Sequence, residues 1–86
     1  MDIKWDTKRA LRRDFAGADL TSAQLPDVDL RDFNFASADF SRANLRNSNF
    51  TGSNLRGTIF FGTDLRGATM GTAQRAYAKE HGAIVE

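Results

Sequence analysis

A large apolar residue stands at every fifth position of the chain, twelve times in succession from Phe15 to Met70. Leu, Phe and Met make up 16 of the 86 residues, so chance would produce such a run roughly once in a hundred million trials. Neither an α-helix nor a heptad coiled coil holds a period of five on one face. The period therefore predicts a solenoid of short, equal sides. The column consists of Phe15, Leu20, Leu25, Leu30, Phe35, Phe40, Leu45, Phe50, Leu55, Phe60, Leu65 and Met70.

Two further columns follow the same period. A small or apolar residue stands two positions before each large one, and only Arg13 breaks this rule. The position between them holds Asp or Asn in nine of the twelve units, with Gln24, Ile59 and Thr69 as the exceptions. Side chains two residues apart in an extended segment point the same way, so the large and small columns face inward. We expect the Asp and Asn side chains to face outward and to hydrogen-bond the backbone at the corners.

Four such sides would close a coil of twenty residues. Each large residue then stacks on one from the next coil at the usual strand spacing of about 4.8 Å. Every layer combines four large side chains with four mostly small ones, which fills the interior without a hole. The expected stacks are Phe15, Phe35 and Leu55; Leu20, Phe40 and Phe60; Leu25, Leu45 and Leu65; and Leu30, Phe50 and Met70.

The units resemble those of a known family. Ala38-Asp39-Phe40-Ser41-Arg42 and Thr63-Asp64-Leu65-Arg66-Gly67 are similar to the A(D/N)LXX pattern of the pentapeptide-repeat proteins, and the resemblance covers residues 13–72. It implies an all-β solenoid, namely a right-handed quadrilateral parallel β-helix of about three coils. The period alone shows a five-residue side and leaves handedness and the number of sides open.

A solenoid of only three coils needs closed ends. Residues 1–12 are expected to form an N-terminal cap in which Ile3, Trp5 and Leu11 plug the first coil. Asp6 and Thr7 are placed to begin a short helix that runs to Arg12.

Residues 73–86 are expected to form a C-terminal capping helix and tail, after the repeat region 13–72. Thr72 is placed as the N-cap and Gly82 as the C-terminal stop. Ala73, Ala76 and Tyr77 share a helix face, which predicts that this face covers the last coil.

Charge is unevenly distributed, although the total is only +1. Residues 1–13 carry a net +3 and residues 14–32 a net −4. The basic segment could contact nucleic acid, but its position beside the acidic coil favours a neutralising cap, and nucleic-acid binding is not expected. Some pentapeptide-repeat proteins act on DNA gyrase by imitating DNA, so the resemblance offers a DNA-mimic effector on topoisomerase as an alternative function. Imitating duplex DNA over three coils would need roughly eight net negative charges, and residues 14–72 carry −2.

The composition gives no support to an enzyme or a cofactor-binding protein. The chain has no cysteine and a single histidine, His81, which indicates neither a disulfide nor a zinc site. The Asp column alternates with Asn, which cannot titrate, so no catalytic, cofactor or metal residues are predicted. The longest apolar runs are three residues, too short to cross a membrane, and the expected location is the cytoplasm.

One unit departs from the outward polar pattern. In Thr58-Ile59-Phe60-Phe61-Gly62, Phe60 takes the inward column and leaves Ile59 and Phe61 facing outward. Either the C-terminal helix or tail covers this pair, or the pair contacts a protein partner or a second copy of the chain, together with Tyr77. The sequence thus predicts a non-catalytic protein–protein interaction or scaffold module, with a possible homodimer through the third coil.

Overall fold

The computed structural model describes residues 5–86, so Ile3 lies outside the described residues. Two helices, α1 (Thr7–Leu11) and α2 (Thr72–Glu80), flank a solenoid. Parallel bridges join residues that are twenty apart, from Asp14 and Asn34 at one end to Asp64 and Ile84 at the other. Each bridge in the described chain is isolated, because a side has only a few extended residues before the chain turns. The coil of twenty residues is thus present, without continuous strands.

The last residue of each unit except the twelfth turns the corner with a positive φ. The values lie between 60° and 77°, at six non-glycine and five glycine positions in the coils. At Gly17 and at all six non-glycine corners the N–H points along the solenoid and pairs with the next coil, as between Gly17 N and Ala36 O at 2.8 Å. The left-handed conformation costs an L-residue about 1–2 kcal/mol, so these inter-coil bonds offset a recurring strain. The non-glycine corners are Ser22, Asp27, Asp32, Ser37, Arg42 and Asn47.

The outward Asp and Asn column closes the corners, as the sequence predicts. In all nine units the side-chain Oδ1 accepts the backbone N–H two residues later, at 2.8–3.2 Å. These local bonds hold the turn while the backbone pairs with neighbouring coils. The residues are Asp14, Asp19, Asp29, Asn34, Asp39, Asn44, Asn49, Asn54 and Asp64.

The core follows the inward columns. The large residues from Phe15 to Leu65 are all buried, and Met70 is partly buried where the coils end. Aromatic rings stack through the coils, with Phe15 and Phe35 at 5.9 Å and Phe40 and Phe60 at 6.1 Å between ring centroids.

The small column changes from Ala to Ser and Thr towards the C-terminus. The four buried hydroxyls each donate to a carbonyl one coil below, at 2.5–2.8 Å. The donors are Ser48, Ser53, Thr58 and Thr63.

The N-terminal segment caps the first coil through two side chains. Trp5 stacks on Phe15 with ring centroids 4.6 Å apart. The Arg9 guanidinium donates to the carbonyls of Asp14 and Ala16 at 3.0 and 2.8 Å, where a preceding coil would otherwise pair. The prediction for Leu11 was wrong, since it is 82% exposed. Helix α1 has five residues and buries none of them completely, so the core contacts of the N-terminal segment come from Trp5 and Ala10.

The N-cap of helix α2 lies one residue earlier than predicted. Gly71 is the N-cap, and its N–H is accepted by Gln74 Oε1 at 2.9 Å, while Thr72 is the first helical residue. The C-terminal end agrees with the sequence, since His81 is the C-cap and Gly82 follows with φ 94°.

The buried face of α2 also differs from the prediction. Ala73 and Ala76 are exposed, whereas Ala78 is fully buried. Gln74, Arg75 and Tyr77 contact the third coil through polar atoms rather than through an apolar stripe. The backbone edge beneath the helix needs hydrogen-bond donors, which an alanine face cannot supply.

Candidate functional site

The third coil ends in a backbone edge, here called the C-terminal rim, formed by residues 53–70. Its four carbonyls that would accept from a fourth coil are all paired. Ser53 O accepts from the Gln74 side chain at 3.3 Å and Thr58 O from the Tyr77 hydroxyl at 3.3 Å. Thr63 O accepts from Ile84 N at 2.8 Å, and Ala68 O accepts from Arg75 Nη2.

The donors of the C-terminal rim are mostly unpaired. Gly62 N donates to Gly82 O at 3.0 Å and Leu65 N donates to Ile84 O at 2.8 Å, because the tail runs along this side. Five further N–H groups on the rim that would donate to a fourth coil have no acceptor within residues 5–86. The outward carbonyl groups of the rim are therefore all paired, whereas most of its outward N–H groups lack an acceptor. The unpaired donors are the N–H groups of Leu55, Gly57, Phe60, Gly67 and Met70.

A groove of about 300 Å³ lies between the C-terminal rim and α2. Leu55 and Phe60 line it from the coil, and Ala73 and Tyr77 line it from the helix. Arg56 lies beside them and makes no ion pair within the described chain. The groove is small and apolar, with donor groups at its wall.

The outward pair Ile59 and Phe61 is exposed, as the sequence predicts. The exposed fractions are 47% and 57%, and Ile84 is 44% exposed in the outward column of the adjacent side. We call these three residues the apolar corner. The Arg42 guanidinium lies 5.6 Å from the Phe61 ring centroid on one side, and the Gly82 backbone packs near the ring on the other. The tail thus covers part of Phe61 and leaves the apolar corner open.

Ile59 also removes a hydrogen bond from its unit. Its side chain cannot accept the Phe61 N–H, which has no acceptor within the part of the chain that the structure describes. The other two exceptions avoid this loss. After Gln24 the turn position is Pro26, which has no N–H, and after Thr69 the Gly71 N–H is accepted by Gln74. Ile59 therefore weakens its own corner, which points to a use for its exposed side chain.

Tyr77 belongs to the C-terminal rim rather than to the apolar corner. Its ring meets Phe60 edge-on at 6.5 Å and stacks on His81 at 4.1 Å. His81 Nδ1 lies 2.7 Å from the Tyr77 carbonyl oxygen, on the exposed end of α2. The three predicted interface residues therefore lie on two neighbouring surfaces of the third coil.

The charged residues form local pairs on the coil surface. Two hydrogen bonds from Arg31, at 2.9 and 2.8 Å, lower the pKa of Asp29 to about 2. The corresponding bonds from Arg66 lower the pKa of Asp64, which also faces Arg46 at 3.9 Å. Within residues 5–86, no three metal-ligating side chains come together.

The comparison with known families decides the identity of this repeat. The family model for pentapeptide repeats matches residues 14–36 and 38–73 as eight copies. The chain belongs to the pentapeptide-repeat family. Among solved structures, a pentapeptide repeat protein from the thylakoid lumen of Arabidopsis thaliana is similar, with a TM-score of 0.58 and 22% sequence identity. The alignment covers 84% of this chain and 74% of that one. No curated protein matches the chain.

Both helices of this pentapeptide-repeat protein are short. Neither α1 nor α2, in the part of the chain that is described, has the length and apolar character of a membrane-crossing helix.

Proposed function

We propose that this pentapeptide-repeat protein is a non-catalytic protein-binding or scaffold module, and that it forms a homodimer through the apolar corner. The observation that carries the proposal is the exposure of Ile59 and Phe61 on a coil surface that is otherwise polar. Burial of apolar surface contributes about 25 cal/mol per Å², so a second copy would gain most at this corner. The lost turn bond at Phe61 N–H supports the same conclusion, since Ile59 costs the monomer a hydrogen bond.

The outward carboxylates support a non-catalytic role. Every Asp in the turn column accepts a backbone N–H, and Asn performs the same task in four other units. A column in which a titratable and a non-titratable side chain do the same work serves the fold rather than proton transfer. We further propose that the coil has the right-handed quadrilateral course of the family, supported by the twenty-residue register of its bridges. Cytoplasmic residence stays a prediction.

Self-association can be measured by size-exclusion chromatography with light scattering. The native chain is expected to be a dimer at micromolar concentration, and the double variant Ile59→Asn, Phe61→Ser a monomer. Both substitutions restore residue types found at the same positions of other units, and the new amide could accept the N–H of residue 61. A matched control is Asn49→Asp with Thr51→Ser, which changes the same two unit positions on another side. A native chain that is monomeric at high micromolar concentration would overturn the homodimer.

The DNA-mimic alternative has less support. The acidic first coil is interrupted by Arg31, which pairs with Asp29, and Arg13 reaches over the Phe33 ring at 5.5 Å from its centroid. The third coil adds Arg56 and Arg66 to its outer surface. A DNA-like surface needs a continuous row of uncompensated negative charge. Inhibition of gyrase supercoiling by the purified chain is the assay that would favour this alternative over a protein-binding module.

A further inference from the structure

Two backbone N–H groups beside the groove at the C-terminal rim have no hydrogen-bond acceptor in the described part of the chain. In the second coil, the N–H groups of Phe35 and Ser37 donate to Asn54 O and Arg56 O, both at 2.9 Å. Leu55 and Gly57 occupy the same unit positions one coil later, and their N–H groups have no acceptor among residues 5–86. The chain leaves the solenoid at Thr72, so no fourth side lies above them.

The core beneath the groove is incomplete in the same place. A fourth coil would stack a large residue on Leu55, but the residue twenty positions later is Arg75, which turns away to the Ala68 carbonyl. Leu55 is 7% exposed, more than the other large inward residues from Phe15 to Leu65. The space above it is the groove of about 300 Å³. The groove can accept one large apolar side chain.

We propose that this groove binds an extended peptide segment of another protein, which adds to the third coil as the first side of a fourth. The peptide places a large apolar side chain over Leu55. The carbonyls of the residues before and after it accept the N–H groups of Leu55 and Gly57, in the register that joins the second and third coils. An acidic residue directly after the apolar one would lie over Arg56. This is strand addition to an open edge, with backbone bonds for affinity and a pocket for specificity.

The hydrogen-bond pattern of the C-terminal rim favours a peptide over two other occupants. Two donors separated by one residue match the carbonyls on either side of a single residue, whereas a lone carboxylate provides no apolar group for the groove. A second copy of the chain has the same rim, with carbonyls already paired and N–H groups free. Two such rims facing each other would oppose donors to donors. The proposed peptide site lies apart from the apolar corner, so it does not depend on the proposed homodimer.

The experiment uses the ¹⁵N-labelled chain of 86 residues carrying Ile59→Asn and Phe61→Ser, so that dimer formation does not interfere. The probe is the peptide Ser-Asn-Leu-Glu-Gly, acetylated and amidated, followed by amide hydrogen exchange at each residue. Without peptide, the amides of Leu55 and Gly57 should exchange rapidly, while those of Phe35 and Ser37 are protected. Saturating peptide should slow exchange at Leu55 and Gly57 by about tenfold or more. A peptide with Asp in place of Leu should have no effect.

Two tryptophan variants locate the site on the protein. Ala73→Trp fills the groove from an exposed helix position and should abolish protection at Leu55 and Gly57. Ala76→Trp, also exposed on α2, lies outside the groove lining and should leave protection unchanged. Unchanged exchange at Leu55 and Gly57 with saturating peptide overturns the proposal. Protection by a free-acid peptide but not by the amide would instead indicate a carboxylate site and would overturn strand addition.

Discussion

The hydroxyl of Thr58 donates a hydrogen bond of 2.8 Å to the carbonyl of Phe35, one coil below. The same carbonyl already accepts the Ala38 N–H at 2.9 Å, so the hydroxyl is its second donor. Ser48, Ser53 and Thr63 make equivalent bonds, each to a carbonyl 23 residues earlier, and together they tie successive coils to each other from inside the core. Hydroxyl groups in the small column thus supplement the backbone hydrogen bonds between coils.

Thr58→Val should lower the free energy of unfolding by about 1 kcal/mol, the usual net contribution of one hydrogen bond. The substitution keeps the shape of the side chain and leaves the Phe35 carbonyl one remaining donor. Urea unfolding followed by circular dichroism measures the loss. Thr69→Val is the control, because Thr69 is exposed and makes no side-chain hydrogen bond within the described chain. Equal stability of the two variants would contradict a role for the internal hydroxyls.

Leu45→Ala should cost about 2–5 kcal/mol, because a buried cavity would form in the middle coil. Leu45 is fully buried between Leu25 and Leu65, so neither neighbour can move to fill the space without disturbing its own coil. Leu11→Ala, at an 82% exposed position, should change stability by less than about 0.5 kcal/mol. Thermal and urea unfolding of both variants provide the comparison. A small loss at Leu45 would mean that the stacking register is wrong.

Arg9→Ala should lower the melting temperature by several degrees, since hydrogen bonds to charged groups contribute about 1.5–3 kcal/mol. Arg9 donates to two carbonyls of the first coil and lies over the Phe15 ring, 5.3 Å from its centroid. Arg12→Ala removes the same charge from an exposed position and should leave the melting temperature nearly unchanged. If both variants instead kept full stability and lost salt-sensitive binding to DNA or RNA, the segment would be a nucleic-acid arm rather than a cap.

Stability should fall as the pH drops from about 4 to about 2. Arg31 lowers the pKa of Asp29 from 3.8 to about 2, and Arg66 lowers the pKa of Asp64. A lowered folded-state pKa stabilises the fold above the unfolded pKa, and this stabilisation is lost as the folded carboxylate is protonated. The double variant Asp29→Asn, Asp64→Asn keeps the turn acceptors and should flatten the dependence in that range. Urea midpoints between pH 2 and 6 measure it.

The matched control for the acid dependence is Asp27→Asn. Asp27 has no arginine partner among the described residues and lies outside the turn column. Its substitution should leave the slope between pH 2 and 4 close to that of the native chain. An equally large change at Asp27 would indicate that net charge, rather than the arginine pairs, controls acid stability.

The parts of the structure that repeat could be predicted from sequence, and the parts that occur once could not. The period places Leu45 in the core and Asn44 at a corner, because each position of the unit recurs twelve times along the chain. Leu11, by contrast, was expected in the core and is exposed, since a five-residue helix offers no period to read. The face of α2 was mistaken for a similar reason. Hydrophobic spacing predicts that Ala76 and Tyr77 lie on the buried face of the helix. The position of α2 depends instead on carbonyls of the C-terminal rim, which accept hydrogen bonds from Gln74 and Arg75.

The candidate site shows the same division. Ile59 and Phe61 were visible as exceptions to a regular pattern, and their exposure follows directly from their positions in the unit. The unpaired donors at Leu55 and Gly57 were not visible, because no side chain signals them. They result from the point at which the chain leaves the coil, and the sequence marks that point only by the loss of the repeat after Met70.

The constant offset of the bridges also sets how this chain must fold. Every backbone pairing between coils closes a loop of about twenty residues, so the first pairing meets the full entropy of loop closure, while each later one extends an existing coil. The edge-to-face contact of Phe35 and Phe40, with ring centroids 5.0 Å apart, joins neighbouring sides of the middle coil and so shortens the loop that the first pairing must close. The segment that caps the first coil precedes that coil in the chain, whereas α2 follows the third coil, so the C-terminal rim is the later of the two ends to be covered.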